Sequence, residues 1–345
     1  FTEATANSVL NDLAYKNTSE DPSAGSDRTV TLTEVQDDGG TSNGGSDTAS
    51  PANSSTVTIE PVNDAPVATA DDFTSGSGTD EDSPLTISTR SSGVLPNDTD
   101  PDDANAALSV AGVEGGSGNT GSAVPLSSDA TVTVNGDGTF TYDPNGAFED
   151  LDSGDNTTDS FTYTPADDGG ASSASPATVT IQINGINDEP AIAGDLSVST
   201  TEGESVVLTS SDLDGVDPDD GPSELTYSLA SVPSNGTLRR GNTDLSAGGT
   251  FTEADLDGGD VSYVHDGSQT SDDAFGVELT DGGEDGAGDA TATVDVLITT
   301  VNDEPTVAIN AGLTLDEGTS SGITQGLLET TDEESGPSGL QYTID

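Results

Sequence analysis

Apolar and polar residues alternate with a period of two along most of the chain. Runs such as Val30-Thr31-Leu32-Thr33, Leu85-Thr86-Ile87, Thr131-Val132-Thr133-Val134, Phe140-Thr141-Tyr142, Phe161-Thr162-Tyr163, Val206-Val207-Leu208-Thr209 and Leu225-Thr226-Tyr227-Ser228-Leu229 put one residue class on each face of a strand. Their Thr, Val and aromatic content suits a half-buried pleated surface. Clusters of Gly, Asn, Asp, Pro and Ser separate the runs, and no amphipathic helical pattern interrupts them, so the sequence predicts short strands joined by turns, without helices. Val134-Asn135-Gly136-Asp137-Gly138-Thr139-Phe140 reads as a hairpin, because Asn-Gly and Asp-Gly tolerate the positive φ of a tight turn.

The strands are grouped by a recurring phrase. Val62-Asn63-Asp64-Ala65-Pro66, Ile186-Asn187-Asp188-Glu189-Pro190 and Val301-Asn302-Asp303-Glu304-Pro305 each follow an alternating run, and their aspartates lie 124 and 115 positions apart. That spacing is one small domain, not a short solenoid repeat. The phrases at 62–66, 186–190 and 301–305 therefore read as linkers. They divide the chain into the C-terminal part of a module (1–62), two whole modules (67–186 and 191–301) and the N-terminal part of another (307–345). Phe1-Thr2-Glu3-Ala4 repeats Phe251-Thr252-Glu253-Ala254, and Gly339-Leu340-Gln341-Tyr342-Thr343-Ile344 matches Glu224-Leu225-Thr226-Tyr227-Ser228-Leu229, so the chain is expected to begin and stop inside modules. About seven strands in each whole module predict an all-β array of tandem Greek-key β-sandwiches. One large β domain is the alternative, and the regular linkers count against it.

Composition adds a constraint. The chain has 65 acidic residues against 5 Lys plus Arg, a formal charge of −60, and such self-repulsion opposes a compact state unless cations sit among the carboxylates. High charge with few aromatics is also the composition of a disordered chain, against which the period-two pattern stands. Nucleic acid and membrane insertion are excluded as expectations, because basic residues and long apolar runs are both missing. There is no Cys and no Met, so disulfides cannot staple the modules and the chain reads as an internal piece of something longer.

Residues 67–186 hold, in order, Asp80-Glu81-Asp82, Leu95-Pro96-Asn97-Asp98-Thr99-Asp100-Pro101-Asp102, Asn135-Gly136-Asp137-Gly138-Thr139-Phe140-Thr141-Tyr142-Asp143-Pro144 and Asp159-Ser160-Phe161-Thr162-Tyr163. By these motifs they resemble the VCBS-type bacterial cadherin-like repeat. Residues 191–301 are similar to the related chondroitin-sulfate-proteoglycan-type repeats through Glu202-Gly203-Glu204, Ser211-Asp212-Leu213-Asp214, Asp217-Pro218-Asp219-Asp220 and Gly236-Thr237-Leu238. The first module is cut short, so its early acidic motifs have no counterpart here. The resemblance implies cadherin-like modules in very large extracellular or cell-surface proteins, often adhesins, many of which bind Ca2+ between modules.

Calcium takes about six to eight oxygen ligands, from carboxylates, carbonyls and water. The resemblance implies ligand roles for Asp64, Glu81, Asp82, Asp98, Asp100 and Asp102 in the second module. In the third it implies them for Asp188, Glu202, Glu204, Asp212, Asp214, Asp217 and Asp219, and in the last for Asp303, Asp316, Glu317, Asp332 and Glu333. Asp37-Asp38-Gly39-Gly40, Asp167-Asp168-Gly169-Gly170 and Asp281-Gly282-Gly283 recur once per module; a tight turn before the last strand and a ligand role both stay open for them. Solvated surface charge is the plain alternative for all these acids, and their recurrence beside every linker argues against it.

Enzymatic readings are weak. His265 is the single histidine and reads as structural, and paired acids are uninformative where acids are everywhere. Arg239-Arg240 reads as a pair neutralised by nearby carboxylates. Sequons at Asn17, Asn53, Asn97, Asn156 and Asn235 carry little weight in so Ser- and Thr-rich a chain. The expected function is a calcium-stiffened stalk or filament whose partners are neighbouring modules of the same chain. The alternatives are a self-assembling fibre joined to other copies by strand addition, or a module that binds surface glycans or proteins.

Overall fold

The computed structural model describes residues 14–22, 27–37, 40–76, 78–282, 289–336 and 338–343. The motif residues Phe1 to Ala4, Asp38, Gly39, Gly283 and Ile344 lie outside these. The chain forms two compact units, residues 1–148 with 156–184, and residues 149–155 with 185–345.

In the first unit, β1 (Arg28–Leu32) pairs antiparallel with β4 (Asn53–Val57), and β2 (Val35–Gln36) with β3 (Thr48–Ala49). Val30 and Leu32 are exposed on β1, and the apolar core begins only at Phe73. Nine strands follow: β5 (Asp71–Phe73), β6 (Thr79–Asp80), β7 (Leu85–Ile87), β8 (Ser109–Val113), β9 (Ala123–Pro125), β10 (Thr131–Val134), β11 (Phe140–Asp143), β12 (Asn156–Ala166) and β13 (Ala177–Asn184). They make two sheets, β7-β11-β10-β9 and β5-β13-β12-β8, with β6 also on β13. β5 and β6 join β13 in parallel. Neighbours far apart in sequence, β7 beside β11 and β8 beside β12, are the crossings of a Greek key.

The period-two pattern decides which faces meet. Val132, Val134, Phe140 and Tyr142 are buried while the threonines between them are half-exposed. Phe140 takes Phe73 and Phe161 edge-on at 5.1 and 5.4 Å between ring centres, the geometry aromatic quadrupoles favour. The predicted hairpin joins β10 to β11: Asn135 N–H donates to Thr139 O at 2.8 Å. Gly138 sits there at φ +85°, and a Cβ on it would lie 2.8 Å from Leu95 Cγ, so the turn needs glycine. In β12 the register against β8 slips at Thr164/Pro165, where proline has no N–H to give the ladder.

The second unit holds β14 (Ala191–Ala193), β15 (Ser197–Thr201), β16 (Ser205–Val207), β17 (Asp214–Val216), β18 (Thr226–Ser231), β19 (Gly236–Arg240), β20 (Thr243–Asp244), β21 (Thr250–Thr252), β22 (Val261–His265), β23 (Asp272–Thr280) and β24 (Ala290–Thr299). The sheets are β15-β24-β23-β18-β21 and β16-β22-β19-β20, and β14 pairs with β17. They enclose a core in which Tyr227 stacks on Phe251 at 4.9 Å. After the third linker, β25 (Thr306–Asn310) pairs antiparallel with β26 (Leu328–Thr331). Arg239 and Arg240 pair with Asp244 (2.5 Å) and Asp255 (3.0 Å).

One sequence expectation fails here, since the chain is not free of helix. α1 (Glu253–Asp257) is a single capped turn in which Thr252 and Asp255 form a reciprocal capping box. Five residues are too few to display a helical period, and only the cap signature marked it.

Replacing Phe140, 1% exposed, with Ala should destabilise the first unit by about 3–5 kcal/mol. Denaturant unfolding monitored by tyrosine fluorescence is the measurement, and a loss under about 1 kcal/mol would show that the two edge contacts do not organise this core.

Candidate metal centres at the joints

Each linker is tied to the acidic turn that follows it by the same contacts. The Asp64 N–H donates to Asp102 Oδ2 (2.5 Å), Asp188 N–H to Asp219 Oδ2 (3.2 Å) and Asp303 N–H to Glu334 Oε1 (3.1 Å). The preceding asparagine turns its amide onto the same aspartate: Nδ2 of Asn63, Asn187 and Asn302 donates to the carbonyl of Asp64, Asp188 and Asp303 at 3.3, 2.7 and 3.0 Å. In the first two joints that Nδ2 also reaches the Asp-Gly-Gly turn, Asn63 to Asp167 Oδ2 at 2.8 Å and Asn187 to Asp281 Oδ2 at 2.9 Å.

The acidic turns are built alike. Asp100 Oδ1 accepts the N–H groups of Asp102 and Asp103 (2.9 and 3.0 Å), and Asp217 Oδ1 those of Asp219 and Asp220 (both 3.1 Å). Asp332 Oδ1 accepts that of Ser335 (2.7 Å). One oxygen of each leading aspartate is thus committed to backbone. Asp100 Oδ2, Asp217 Oδ2, Asp219 Oδ1 and Asp220 Oδ2 are buried without a hydrogen-bond partner, an arrangement that costs stability unless a positive group joins them.

The second joint is the most developed. Oxygens of Asp217, Asp220 and Asp281 lie within 4.8 Å of one another, and Asp281 is 5% exposed. Burial, then the carboxylate of Asp219, pushes Asp217 up to about 7. Burial, then the charges of Glu224, Asp219, Asp152 and Asp281, pushes Asp220 up to about 6. Asp217, Asp219 and Asp220 join no ion pair among the described residues. Gly185 admits the acidic segment 149–155 to this joint: its N–H donates to Asp155 O at 2.9 Å. A Cβ at 185 would lie 2.3 Å from Asp152 O and 2.4 Å from Leu151 O. The segment carries Glu149 to within 4.8 Å of Asp188.

At the first joint, Asp103 is raised by burial and by the charges of Asp168, Asp100 and Asp167. Asp167 is lowered: burial opposes its charge, but the Asn63 amide and the N–H groups of Ala171, Gly170 and Gly169 outweigh it. Asp21 lines one shallow pocket with Asn63 and Asp102. At the third joint, Glu202 Oε2 accepts the Val301 N–H at 2.9 Å. Gln269 Nε2 donates both to Glu202 Oε1 and to Asp303 Oδ2, the latter at 3.0 Å. Behind it the buried His265 accepts the N–H groups of Gly203 (3.0 Å) and Gly267 (3.2 Å) on Nδ1, so this nitrogen carries no proton and the ring is structural. Asp332 and Glu333 line a pocket with Asp303 and Glu304.

Other residues of the implied ligand set stand apart from these clusters. Asp98 is 2% exposed; its Oδ1 accepts the Thr69 N–H at 2.7 Å and its Oδ2 the Tyr163 hydroxyl at 3.0 Å. Glu81 is buried where its N–H meets Asn184 O at the end of β13 (3.1 Å). Asp212 Oδ2 accepts the Thr209 N–H and hydroxyl at 2.9 and 2.7 Å, closing its own turn. Asp214 opens β17, Glu204 is exposed with its carbonyl on the His265 N–H, and Asp316 and Glu317 lie on an exposed turn. The structure adds Asp103, Asp220, Glu149, Gln269, Glu334 and the linker asparagines to the joints. Asp220 ends a recognised motif and Asp103 directly follows one, so both were legible; Gln269 carries no acidic signal.

Residues 63–185 match the bacterial cadherin-like domain family and residues 190–296 the cadherin-like family. Extracellular matrix protein 3 of Lytechinus variegatus is 30% identical over 167 residues, 48% of this chain and 5% of that protein. Extracellular matrix organizing protein FRAS1 of Homo sapiens is 28% identical over 165 residues, 48% of this chain and 4% of that protein. Chondroitin sulfate proteoglycan 4 of Mus musculus is 35% identical over 125 residues, 35% of this chain and 5% of that protein. The chain thus spans about a twentieth of the length of these relatives. Among solved structures, mouse cadherin-23 EC22-24 aligns with a TM-score of 0.43 at 15% identity, over 79% of this chain and 78% of that one. No helix among the described residues is long and apolar enough to cross a membrane. The chain carries a bacterial cadherin-like domain followed by a cadherin-like domain, in tandem.

Proposed function

We propose that this chain is a calcium-stiffened spacer of an extracellular matrix or cell-surface protein, in which Ca2+ at the linkers sets rigidity. One observation carries the reading: Asp217, Asp220 and Asp281 converge within 4.8 Å, with buried oxygens on Asp217, Asp219 and Asp220 that no protein group satisfies. The all-oxygen donor set suits a hard divalent cation. Asp188, Asp217, Asp219, Asp220, Asp281 and Glu149 would hold it at the second joint, and Asp64, Asp100, Asp102, Asp103 and Asp167 at the first. A bound cation supplies the positive charge that the sequence lacks. The extracellular names of the relatives support the location.

The chain's own groups dictate the coupling. The linker aspartate already gives its N–H to the acidic turn, so the joint is pre-shaped, and like charge is what opposes its closure. Removing that opposition stabilises the folded form by mass action, by about 2.7 kcal/mol at a cation concentration 100 times Kd.

Chelation should therefore lower the melting temperature and increase hydrodynamic size; no change in either would refute calcium stiffening. Asp220→Asn separates charge from structure, since Asp220 Oδ2 has no partner to lose. In chelator the variant should melt at or above the parent temperature, and in calcium it should lose part of the cation-dependent gain. A uniform decrease in both would mean that the residue is only structural.

A pH dependence follows with the opposite sign in the two conditions. Asp217 and Asp220 titrate higher when folded, toward about 7 and 6, than the unfolded value of about 4. The folded state then holds the extra protons, so their contribution is fully present below the unfolded value and is lost as pH rises toward neutrality. In chelator the melting temperature should fall between pH 5 and pH 7.5; in calcium, where protons compete with the cation, the gain from calcium should grow over that range. Calorimetric melts at both ends test it.

A further inference from the structure

The two joints of the second unit are equivalent in design and unequal in charge. The segment between β11 and β12 supplies Glu149 to Asp188, within 4.8 Å. The loop between β22 and β23 occupies the same place one module later. Tyr142 bonding Asp159 across the first loop (2.7 Å) and Tyr263 bonding Asp273 across the second (2.9 Å) fix that equivalence. This second loop supplies Gln269 to Asp303 at 3.0 Å. A second replacement lies on the other side of the joint. Ser335 gives its N–H to Asp332 as Asp220 gives its own to Asp217, so a hydroxyl stands where the second joint has a carboxylate.

Gln269 does more than omit a charge. Its amide nitrogen donates at once to Glu202 and to Asp303, carboxylates from two separate elements, and so occupies the place between them that a cation would take. The loop that carries it is fixed by His265, whose Nδ1 accepts the Gly267 N–H and whose Nε2 faces Thr270 Oγ1 at 3.1 Å. The same imidazole nitrogen accepts the Gly203 N–H next to Glu202. The amide and its Glu202 acceptor are therefore held in register by a buried ring.

We propose that 301–305 is the low-affinity joint and 186–190 the high-affinity one, and that Gln269 sets the difference by bridging Glu202 and Asp303 until calcium displaces its amide. This rests on the calcium reading above. Calcium affinity depends on ligand charge count and site rigidity, and here two carboxylates are replaced and two hydrogen bonds must break before the ion enters. As calcium rises, the second joint closes first; as it falls, the third opens first.

Hydrogen exchange of the full 345-residue chain across a calcium titration reads the joints separately by mass spectrometry. Peptides spanning 186–190 should gain protection at lower calcium than peptides spanning 301–305. Gln269→Glu should move only the 301–305 midpoint, to roughly tenfold lower calcium, since ligand charge count tunes calcium affinity over several decades, and Ser335→Asp should move it the same way. Glu149→Gln should move only the first midpoint, upward. Coincident midpoints in the parent, or a Gln269→Glu effect that falls on 186–190, would overturn the grading and leave calcium binding standing. Absence of calcium-dependent protection at both joints would overturn the grading together with the calcium reading.

Discussion

Carboxylates packed together without basic partners are the constraint to which this chain answers. With 5 Lys plus Arg for 65 acids, the positive ends available to most carboxylates are backbone N–H groups. The turns at Asp100, Asp217 and Asp332 use them, each accepting one or two N–H groups on a single oxygen. That solution is partial by construction. A turn can orient its N–H groups toward one oxygen of a carboxylate, and the other then faces the neighbouring acids. The raised Asp217 and Asp220 are the electrostatic record of the half that backbone cannot satisfy.

The sandwiches hold these turns on rigid ground. Tyr163 brings its hydroxyl to Asp98 from β12 at 3.0 Å, beneath the acidic turn of the first unit. In the second unit the corresponding support comes from a different residue pair: Glu253 at the start of α1 accepts the Tyr227 hydroxyl at 2.8 Å and the Gly215 N–H at 2.7 Å, two positions before Asp217. Both are buried phenol–carboxylate bonds, and in both burial raises the carboxyl group. Equivalent turns are thus held by non-equivalent residues, which is what a packing requirement, as opposed to a chemical one, permits.

Strand positions and the Asn135 to Thr139 hairpin were legible because period two and turn chemistry are local signals. The linker was legible as a repeat, and its aspartates and the acidic turns do come together at each joint. Legibility ended where one residue type serves two purposes. Asp98 and Asp100 look alike in sequence, yet Asp98 is committed to Thr69 and Tyr163 while Asp100 keeps a buried oxygen unpaired. Asp212 likewise closes its own turn. Gln269 escaped notice because a search for acids passes over amides, although amides are the neutral groups able to donate to two carboxyl or carbonyl oxygens at once. Glu253 was visible only as part of a repeated phrase, since its partners, Tyr227 and Gly215, are 26 and 38 residues away.

The close approach at Gly185 bears on how such arrays evolve. The position three before the linker aspartate is Pro61 in the first linker, Gly185 in the second and Thr300 in the third. Only the second has no side chain, and only there do the carbonyls of Leu151 and Asp152 lie where a Cβ would stand. A duplication or exchange that joined a loop of the 149–155 kind to a linker beginning with threonine would set backbone against side chain. Loop and linker must be inherited as one cassette, together with β12 and β13 between them. A side chain at 185 would be tolerated only with a different path for the chain between β11 and β12, so that loop and the linker act as one physical unit.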